Sequence, residues 1–147
     1  MSMTVEIDNQ KAVINRLDSA IKAVGSPQKP LESIGDFLVS EFKLNFANEG
    51  SQLGSRWAAL AESTRLQKIA MGYAGKGILE RTGRLKNAFE KTVSAFQVRV
   101  ANPTSYFRYH QLGEGNNPKR TMIARSNSIS GQIFQIISQF VRDSLSK

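Results

Sequence analysis

The side chains that could carry out catalysis are few in this chain, and none stands in a recognisable catalytic pattern. The 147 residues include no cysteine and a single histidine, His110. Thiol catalysis, disulfide frameworks, cysteine-based zinc sites and metal sites built from several histidines are therefore excluded. Histidine titrates near neutrality, as a general base must, but no serine or acid stands near His110 at the spacing of a catalytic pair. We interpret it as a histidine that makes structural hydrogen bonds.

A glycine-rich segment at residues 72–77 has part of the composition of a phosphate-binding loop. A Walker A loop requires a glycine five residues before its Gly-Lys pair and a serine or threonine after it. Here Gly77 follows Lys76, and Ala70 occupies the position of the first glycine, so the pattern fails. The acidic residues form no clear pair for glycoside or phosphodiester chemistry. The sequence therefore predicts no enzymatic activity, bound nucleotide, cofactor or metal.

Positive charge is concentrated in the C-terminal part of the chain. The formal net charge is +8, from 20 Lys+Arg and 12 Asp+Glu. Positions 1–60 hold six basic and seven acidic residues, a net charge of −1, whereas positions 61–147 hold the remaining 14 basic and 5 acidic residues, a net charge of +9. This asymmetry is typical of a surface that binds a polyanion or an acidic patch on a neighbouring subunit, and it also fits a solvated surface.

The length and the hydropathy pattern favour one soluble domain over residues 1–147, with a helical part at 1–50 and an α+β part at 51–147. Residues 1–24 place acids among their apolar positions, so we do not expect a signal peptide. No apolar run approaches the roughly 20 residues that cross a bilayer, so no membrane association is expected.

Helical periodicity is strong at both ends of the chain. Apolar residues repeat on one face over residues 9–24, and this helix should end at Gly25 because glycine accepts a left-handed C-cap and Pro27 cannot continue a helix. The next helix, at 31–47, is apolar over more than half its circumference, which predicts burial on two sides and a contact with a second subunit. Further helices are predicted at 62–71, 82–87 and 129–145, the second of them capped by Thr82.

The middle of the chain changes to the alternating pattern of half-buried strands. Such alternation predicts strands at residues 92–96 and 97–101, and a third strand at 120–125. The predicted fold class is therefore α+β: helices packed around a small antiparallel β-sheet, with a long C-terminal helix.

The aromatic residues allow two interpretations. Trp57, the only tryptophan, is expected to anchor the sheet or the helices. Tyr106, Phe107 and Tyr109 either form a platform on which bases stack or fasten a short helical turn to the core.

Three separated segments carry a family resemblance. Their motif residues are Arg56, Trp57 and Leu60 in the first; Thr82, Gly83 and Leu85 in the second; and Tyr106, His110, Gln111, Gly113, Pro118 and Arg120 in the third. In order and spacing they resemble the signatures RW-x-x-L, iL-x-x-TG-x-L and Y-x-x-x-HQ-x-G…P-x-R of the phage virion morphogenesis (tail-completion) family of Mu-like and related contractile-tailed phages. Phe107 and Thr121 depart from that pattern.

The resemblance implies a structural protein of the virion neck, assembled in the host cytoplasm, and not an enzyme. It implies a homo-oligomeric ring, a hexamer like the tail, that completes the tail and joins it to the head. The implied partners are tail tube and sheath proteins and head-side connector proteins, and DNA passes through without specific binding. The candidate contacts with a subunit or partner are Gly75, Lys76, Arg81, Arg84 and Lys86.

The motif residues also have expected local roles. Thr82 and Gly83 should cap a short helix and turn the chain, and Gly113 should take a positive φ. His110 and Gln111 should donate side-chain hydrogen bonds beneath a loop. Pro118 should set an extended edge, with Arg120 offering its guanidinium to a carboxylate on a neighbour.

A small basic nucleic-acid-binding protein is the alternative function, because positions 61–147 could neutralise phosphates. A connector should form closed rings, whereas a nucleic-acid-binding protein should retain DNA at physiological salt as a monomer or dimer. On the connector hypothesis, residues 72–77 should be mobile in the free protein and ordered in the ring.

Overall fold

The computed structural model describes residues 10–146, which form a mostly helical fold around one small sheet. In chain order the elements are α1 (Gln10–Val24), α2 (Gln28–Ala47), a 3-10 turn (Ser51–Leu53), α3 (Glu62–Ala70), α4 (Arg84–Asn87), β1 (Glu90–Val93), β2 (Val98–Ala101), α5 (Phe107–Leu112) and α6 (Asn127–Leu145). The predicted fold class is confirmed: two antiparallel strands pack against helices, and a long helix closes the chain.

Helix α2 is the centre of the core. The sheet, α4, α6 and the 3-10 turn all contact it. The ring of Phe42 lies against Phe89, and the ring of Phe46 meets the edge of Trp57 with the centroids 5.2 Å apart. The chain itself thus covers most of the apolar circumference of α2 and leaves Leu44 exposed by 43%. A subunit contact through this helix stays a prediction.

The sheet is a hairpin that lies directly on α2. Glu90 pairs with Ala101 and Val93 with Val98. Gly35 of α2 lets the strands approach closely, because a Cβ there would lie 2.9 Å from the Lys91 side chain. The first strand lies two to three residues before its predicted range of 92–96, and the second begins one residue after its predicted start at 97, since residues 94–97 form the turn that a hairpin requires.

The third predicted strand, at residues 120–125, is wrong. Met122 and Ile123 are consecutive yet both fully buried, which a half-buried strand does not allow. Residues 122 and 123 form a bend, and the side chain of Gln111 bonds to their backbone where a strand would have a partner. We call residues 120–123 the anchor segment.

The predicted cap of the short helix α4 is displaced by one residue. Gly83, with φ +78°, occupies the N-cap position, and its carbonyl accepts a hydrogen bond from the amide of Asn87. Thr82 lies one residue earlier, where its hydroxyl accepts a hydrogen bond from the Arg84 amide at 3.4 Å. Glycine is suited to the N-cap here because its φ is positive.

The two terminal helices pack on each other. The predicted start of α1 at Asn9 lies outside the described residues, and the helix ends as expected at Gly25, with φ +97°. Helix α6 begins two residues before its predicted start, because the Ser126 hydroxyl accepts a hydrogen bond from the Ile129 amide. None of the helices within residues 10–146 is long and apolar enough to cross a membrane.

Candidate functional site

The three motif segments meet around one open cleft of about 690 Å³, which we call the motif cleft. Ten of the predicted residues line it: Leu60, Arg81, Thr82, Gly83, Arg84, Leu85, Tyr106, His110, Pro118 and Arg120. The other seven lie outside its lining: Arg56, Trp57, Gly75, Lys76, Lys86, Gln111 and Gly113. The motif residues therefore serve two regions, the motif cleft and the anchor segment beside it.

Trp57 packs on Phe46 of α2, as expected of an anchor for the helices, and it also fastens the anchor segment. Its indole Nε1–H donates to the carbonyl of Thr121 at 2.9 Å, and the ring is buried. The same carbonyl accepts from the side-chain amide of Asn45 at 3.0 Å. Both lone pairs of this partly buried carbonyl are thus used.

Gln111 takes the place of a partner strand. Its Oε1 accepts from the amides of Met122 at 2.7 Å and Ile123 at 3.0 Å, and its Nε2 donates to the Ile123 carbonyl at 2.8 Å. Because all these groups are buried, the amide satisfies three polar atoms that otherwise would have no partner. The expectation that Gln111 makes hydrogen bonds beneath a loop is confirmed.

Arg120 does not offer its guanidinium to a neighbour, contrary to the sequence-based expectation. The side chain is only 5% exposed, and it donates to the carbonyls of Ala58 at 2.9 Å and Ala59 at 3.3 Å. Its backbone amide donates to the carbonyl of His110 at 2.7 Å. Burial lowers the pKa of Arg120. This residue joins the first motif segment to the third within one chain.

The expected side-chain hydrogen bond of His110 is not made by its Nδ1, and the residue bonds to the loop through its backbone carbonyl, which accepts from the Arg120 amide. The imidazole Nδ1 is buried without a hydrogen-bond partner. Burial, and secondly the positive charge of Arg120, lower the pKa of His110 below its usual value. A neutral ring is therefore favoured beside the guanidinium, and within residues 10–146 no carboxylate bonds to its Nδ1 as in a catalytic pair.

Gly113 and the aromatic residues of the third segment hold α5 and the turn that follows it. Gly113 ends α5 with φ +75°, as predicted, and a Cβ there would lie 2.9 Å from the Cβ of Lys119. Phe107 is buried against Phe89, whereas Tyr109 is 49% exposed. The aromatic cluster thus fastens α5 to the core through Phe107, with Tyr106 packed partly buried against the same core.

The glycine-rich segment is tied to the wall of the motif cleft by a residue that the sequence analysis did not single out. Lys68 of α3 is buried, and its Nζ donates to the carbonyls of Lys76 at 2.8 Å and Gly77 at 2.7 Å. Burial, and secondly the charge of Arg81, lower the pKa of Lys68. The predicted mobility of residues 72–77 stays a prediction.

The remaining basic candidates differ in how their charges are met. Lys86 forms an ion pair with Glu80 at 3.0 Å, so its charge is already used within the chain. Arg81 donates to the side-chain oxygen of Gln67 at 3.2 Å and is exposed, as is Arg84. Within residues 10–146, neither Arg81 nor Arg84 forms an ion pair with a carboxylate.

A buried asparagine connects the second and third motif segments. Asn102 donates to the carbonyl of Leu85 at 2.8 Å and accepts from the Thr104 hydroxyl at 2.6 Å. In the sequence, Asn102 and Pro103 directly follow the strand predicted at 97–101. An asparagine before a turn is also a signal that its side chain bonds to the backbone two residues on.

The chemistry of the motif cleft is that of a binding surface. In the part of the chain that the structure describes, no three histidine, aspartate or glutamate side chains are grouped to hold a metal ion. The lining of the cleft combines apolar side chains with exposed arginines, a composition suited to contact with another chain.

The model of the phage virion morphogenesis family matches residues 8–141, and the chain therefore belongs to this family. The predicted resemblance is confirmed over most of the chain. No curated protein and no solved structure matches it significantly. The chain is thus a phage virion morphogenesis protein of a structural family.

Proposed function

We propose that this protein completes the phage tail by forming a homo-oligomeric ring that joins the tail to the head. The proposal rests on one observation: the three motif segments form a cleft whose buried charges are used within the chain, while Arg81 and Arg84 remain exposed on its rim. Exposed arginines that form no ion pair within residues 10–146, beside apolar lining residues, are suited to an acidic surface of a neighbouring protein.

Further support comes from exposed apolar side chains outside the cleft. Leu66 and Ile69 of α3 and Leu112 of α5 are each more than 40% exposed. Exposed apolar side chains are candidates for burial in an interface when they group together. Positions 1–60 carry a net charge of −1 and positions 61–147 one of +9, so a head-to-tail contact between the two parts would avoid like-charge repulsion. Such contacts give a ring when the rotation between subunits closes. The partners beyond the ring would be tube, sheath and head-side connector proteins of the virion.

Binding of nucleic acid is the second candidate, favoured by the net charge of +9 over positions 61–147. Two observations speak for protein partners instead. Lys68, Lys86 and Arg120 are engaged within the chain, which reduces the charge left for phosphates. Phe107, one of the three residues of the possible stacking platform, is buried in the core.

The oligomeric state tests the proposal. Sedimentation and native mass spectrometry of the free protein should give one closed stoichiometry, and electron microscopy of assembled necks should place that ring at the head–tail junction. A monomer in the assembled neck would overturn the proposal. Retention of DNA by a monomer or dimer at physiological salt, with a steep salt dependence, would favour the nucleic-acid function instead.

A further inference from the structure

The motif cleft has the electrostatics of a site for an acidic segment. Four basic residues and one acidic residue line it: Lys68, Arg81, Arg84, Arg120 and Glu80. Ala58, Leu60 and Leu79 make part of its lining apolar. The volume of about 690 Å³ lies within the range of pockets that enclose small ligands or short stretches of chain.

Residues 3–8 of this same chain have the complementary chemistry. Their sequence, Met-Thr-Val-Glu-Ile-Asp, alternates apolar and polar residues and carries two carboxylates and no basic residue. In an extended segment, alternate side chains point to opposite sides, and six residues span about 20 Å. In an extended conformation, Met3, Val5 and Ile7 would share the side suited to the apolar part of the lining. Glu6 and Asp8 would share the other side, suited to Arg81 and Arg84.

The position of α1 favours a second copy of the chain as the donor. Helix α1, which follows this segment, packs on α6, and neither helix contributes a residue to the lining of the motif cleft. A donor from a neighbouring copy also makes each subunit both donor and acceptor, the heterologous contact from which rings close.

We infer that residues 3–8 of one subunit bind in the motif cleft of the next, with Glu6 and Asp8 paired to Arg81 and Arg84. This inference rests on the proposed ring and names the contact that builds it. The occupant is a segment of a second copy, and an acidic segment of another protein is the outcome that would replace it.

The absence of cysteine from the chain permits a direct cross-linking test. The full-length variant Thr4→Cys is mixed with the full-length variant Asn116→Cys, whose residue is exposed on the motif cleft, and treated with a short bismaleimide. The control partner is Ala95→Cys, which is equally exposed but lies in the hairpin turn. We expect at least about tenfold more covalent dimer with Asn116→Cys, a preference equal to about 1.4 kcal/mol.

Three results would overturn the inference: equal yields with the two partners, no covalent dimer in preparations that contain rings, or an intramolecular link in the double variant Thr4→Cys/Asn116→Cys diluted to monomers. Rings of normal mass without cross-links would reject this contact and leave the proposed function standing.

If the chain stays monomeric, a synthetic peptide of residues 1–9 with Thr4→Cys is added to the Asn116→Cys variant. A link to that peptide would support the contact and reject the ring, whereas its absence would reject both.

A charge reversal sharpens the assignment. Arg84→Glu should lower the cross-linking yield roughly threefold or more, because attraction to Glu6 and Asp8 becomes repulsion. Arg99→Glu makes the same charge change on the exposed side of β2 and should leave the yield unchanged. Equal losses in both variants would contradict specific pairing in the motif cleft.

Discussion

The anchor segment and the rim of the motif cleft are adjacent, and both are built from motif residues, yet they use polar side chains in opposite ways. At the anchor segment, Trp57, Gln111 and Arg120 direct their polar groups inward to backbone carbonyls and amides. At the rim, Arg81 and Arg84 are exposed and form no ion pair within residues 10–146.

The difference shows that a motif residue of functional type can serve the fold alone. A buried polar group is costly unless it is hydrogen-bonded, so the partners of Gln111 and Arg120 explain why these residue types are needed there. No such internal requirement explains Arg84, which is exposed at a helix start. Substitutions in the two regions should therefore differ in whether they affect folding or assembly.

The largest effect on stability is expected from Gln111→Ala. Two buried amides would lose their acceptor and one buried carbonyl its donor, so the free energy of unfolding should fall by about 3 kcal/mol. Urea unfolding followed by Trp57 fluorescence measures it. Gln132→Ala, at an exposed position of α6, is the matched control and should change stability by less than about 0.5 kcal/mol. A loss below about 1 kcal/mol for Gln111→Ala would contradict the role of its side chain as a substitute strand.

The next effect compares two glycines of the same loop. Gly113 and Gly115 both have positive φ, but only at Gly113 would a Cβ meet other atoms, those of Lys119. Gly115→Ala should cost about 1 kcal/mol from the left-handed conformation alone, and Gly113→Ala about 2 kcal/mol because the contact adds to it. Thermal unfolding of the two variants in parallel measures the difference. Equal losses would show that the loop yields and that close packing beside the anchor segment is unimportant.

A smaller effect should depend on pH through His110. Burial and the charge of Arg120 lower its pKa in the folded state, so the unfolded chain binds more protons just below pH 6.5. The free energy of unfolding should therefore fall as the pH decreases through that value toward the folded-state pKa, and be unaffected by this group above it. His110→Leu should lack this contribution. The difference in free energy of unfolding between the variant and the parent protein, measured at pH 7 and pH 5, should therefore favour the variant more at pH 5. A constant difference between the two proteins would refute the assignment.

The smallest effect on stability, and the largest on assembly, is expected at the rim. Arg81→Glu combined with Arg84→Glu should change the free energy of unfolding by less than about 1 kcal/mol, because both side chains are exposed. Rings should fail to form, and tails should fail to join heads. Lys86 is left unchanged because it pairs with Glu80. Lys29→Glu with Arg99→Glu is the control of equal charge, and the comparison of the two regions breaks down if it impairs assembly equally.

Much of the helical framework could be predicted because helices are encoded locally. The periodicity of α2 and α6 and the glycine after α1 place these elements to within three residues. The third strand was wrong because alternation over six residues is a weak signal, and a side chain from α5 occupied the place of a strand. The N-cap of α4 is Gly83, one residue after the predicted Thr82, because the backbone there has a positive φ that glycine accepts most readily.

The sequence by itself determined the helices, the basic C-terminal part, the lack of cysteine chemistry and the family. The tertiary structure decided which motif residues are buried and which line a common surface. Arg120 donates to Ala58, 62 positions earlier, and Trp57 donates to Thr121, 64 positions later. Periodicity depends on neighbours within a few residues, whereas the partner of a buried polar group is set by the packing of distant elements. For that reason the residue types were visible in the sequence, and the division between anchor segment and motif cleft was not.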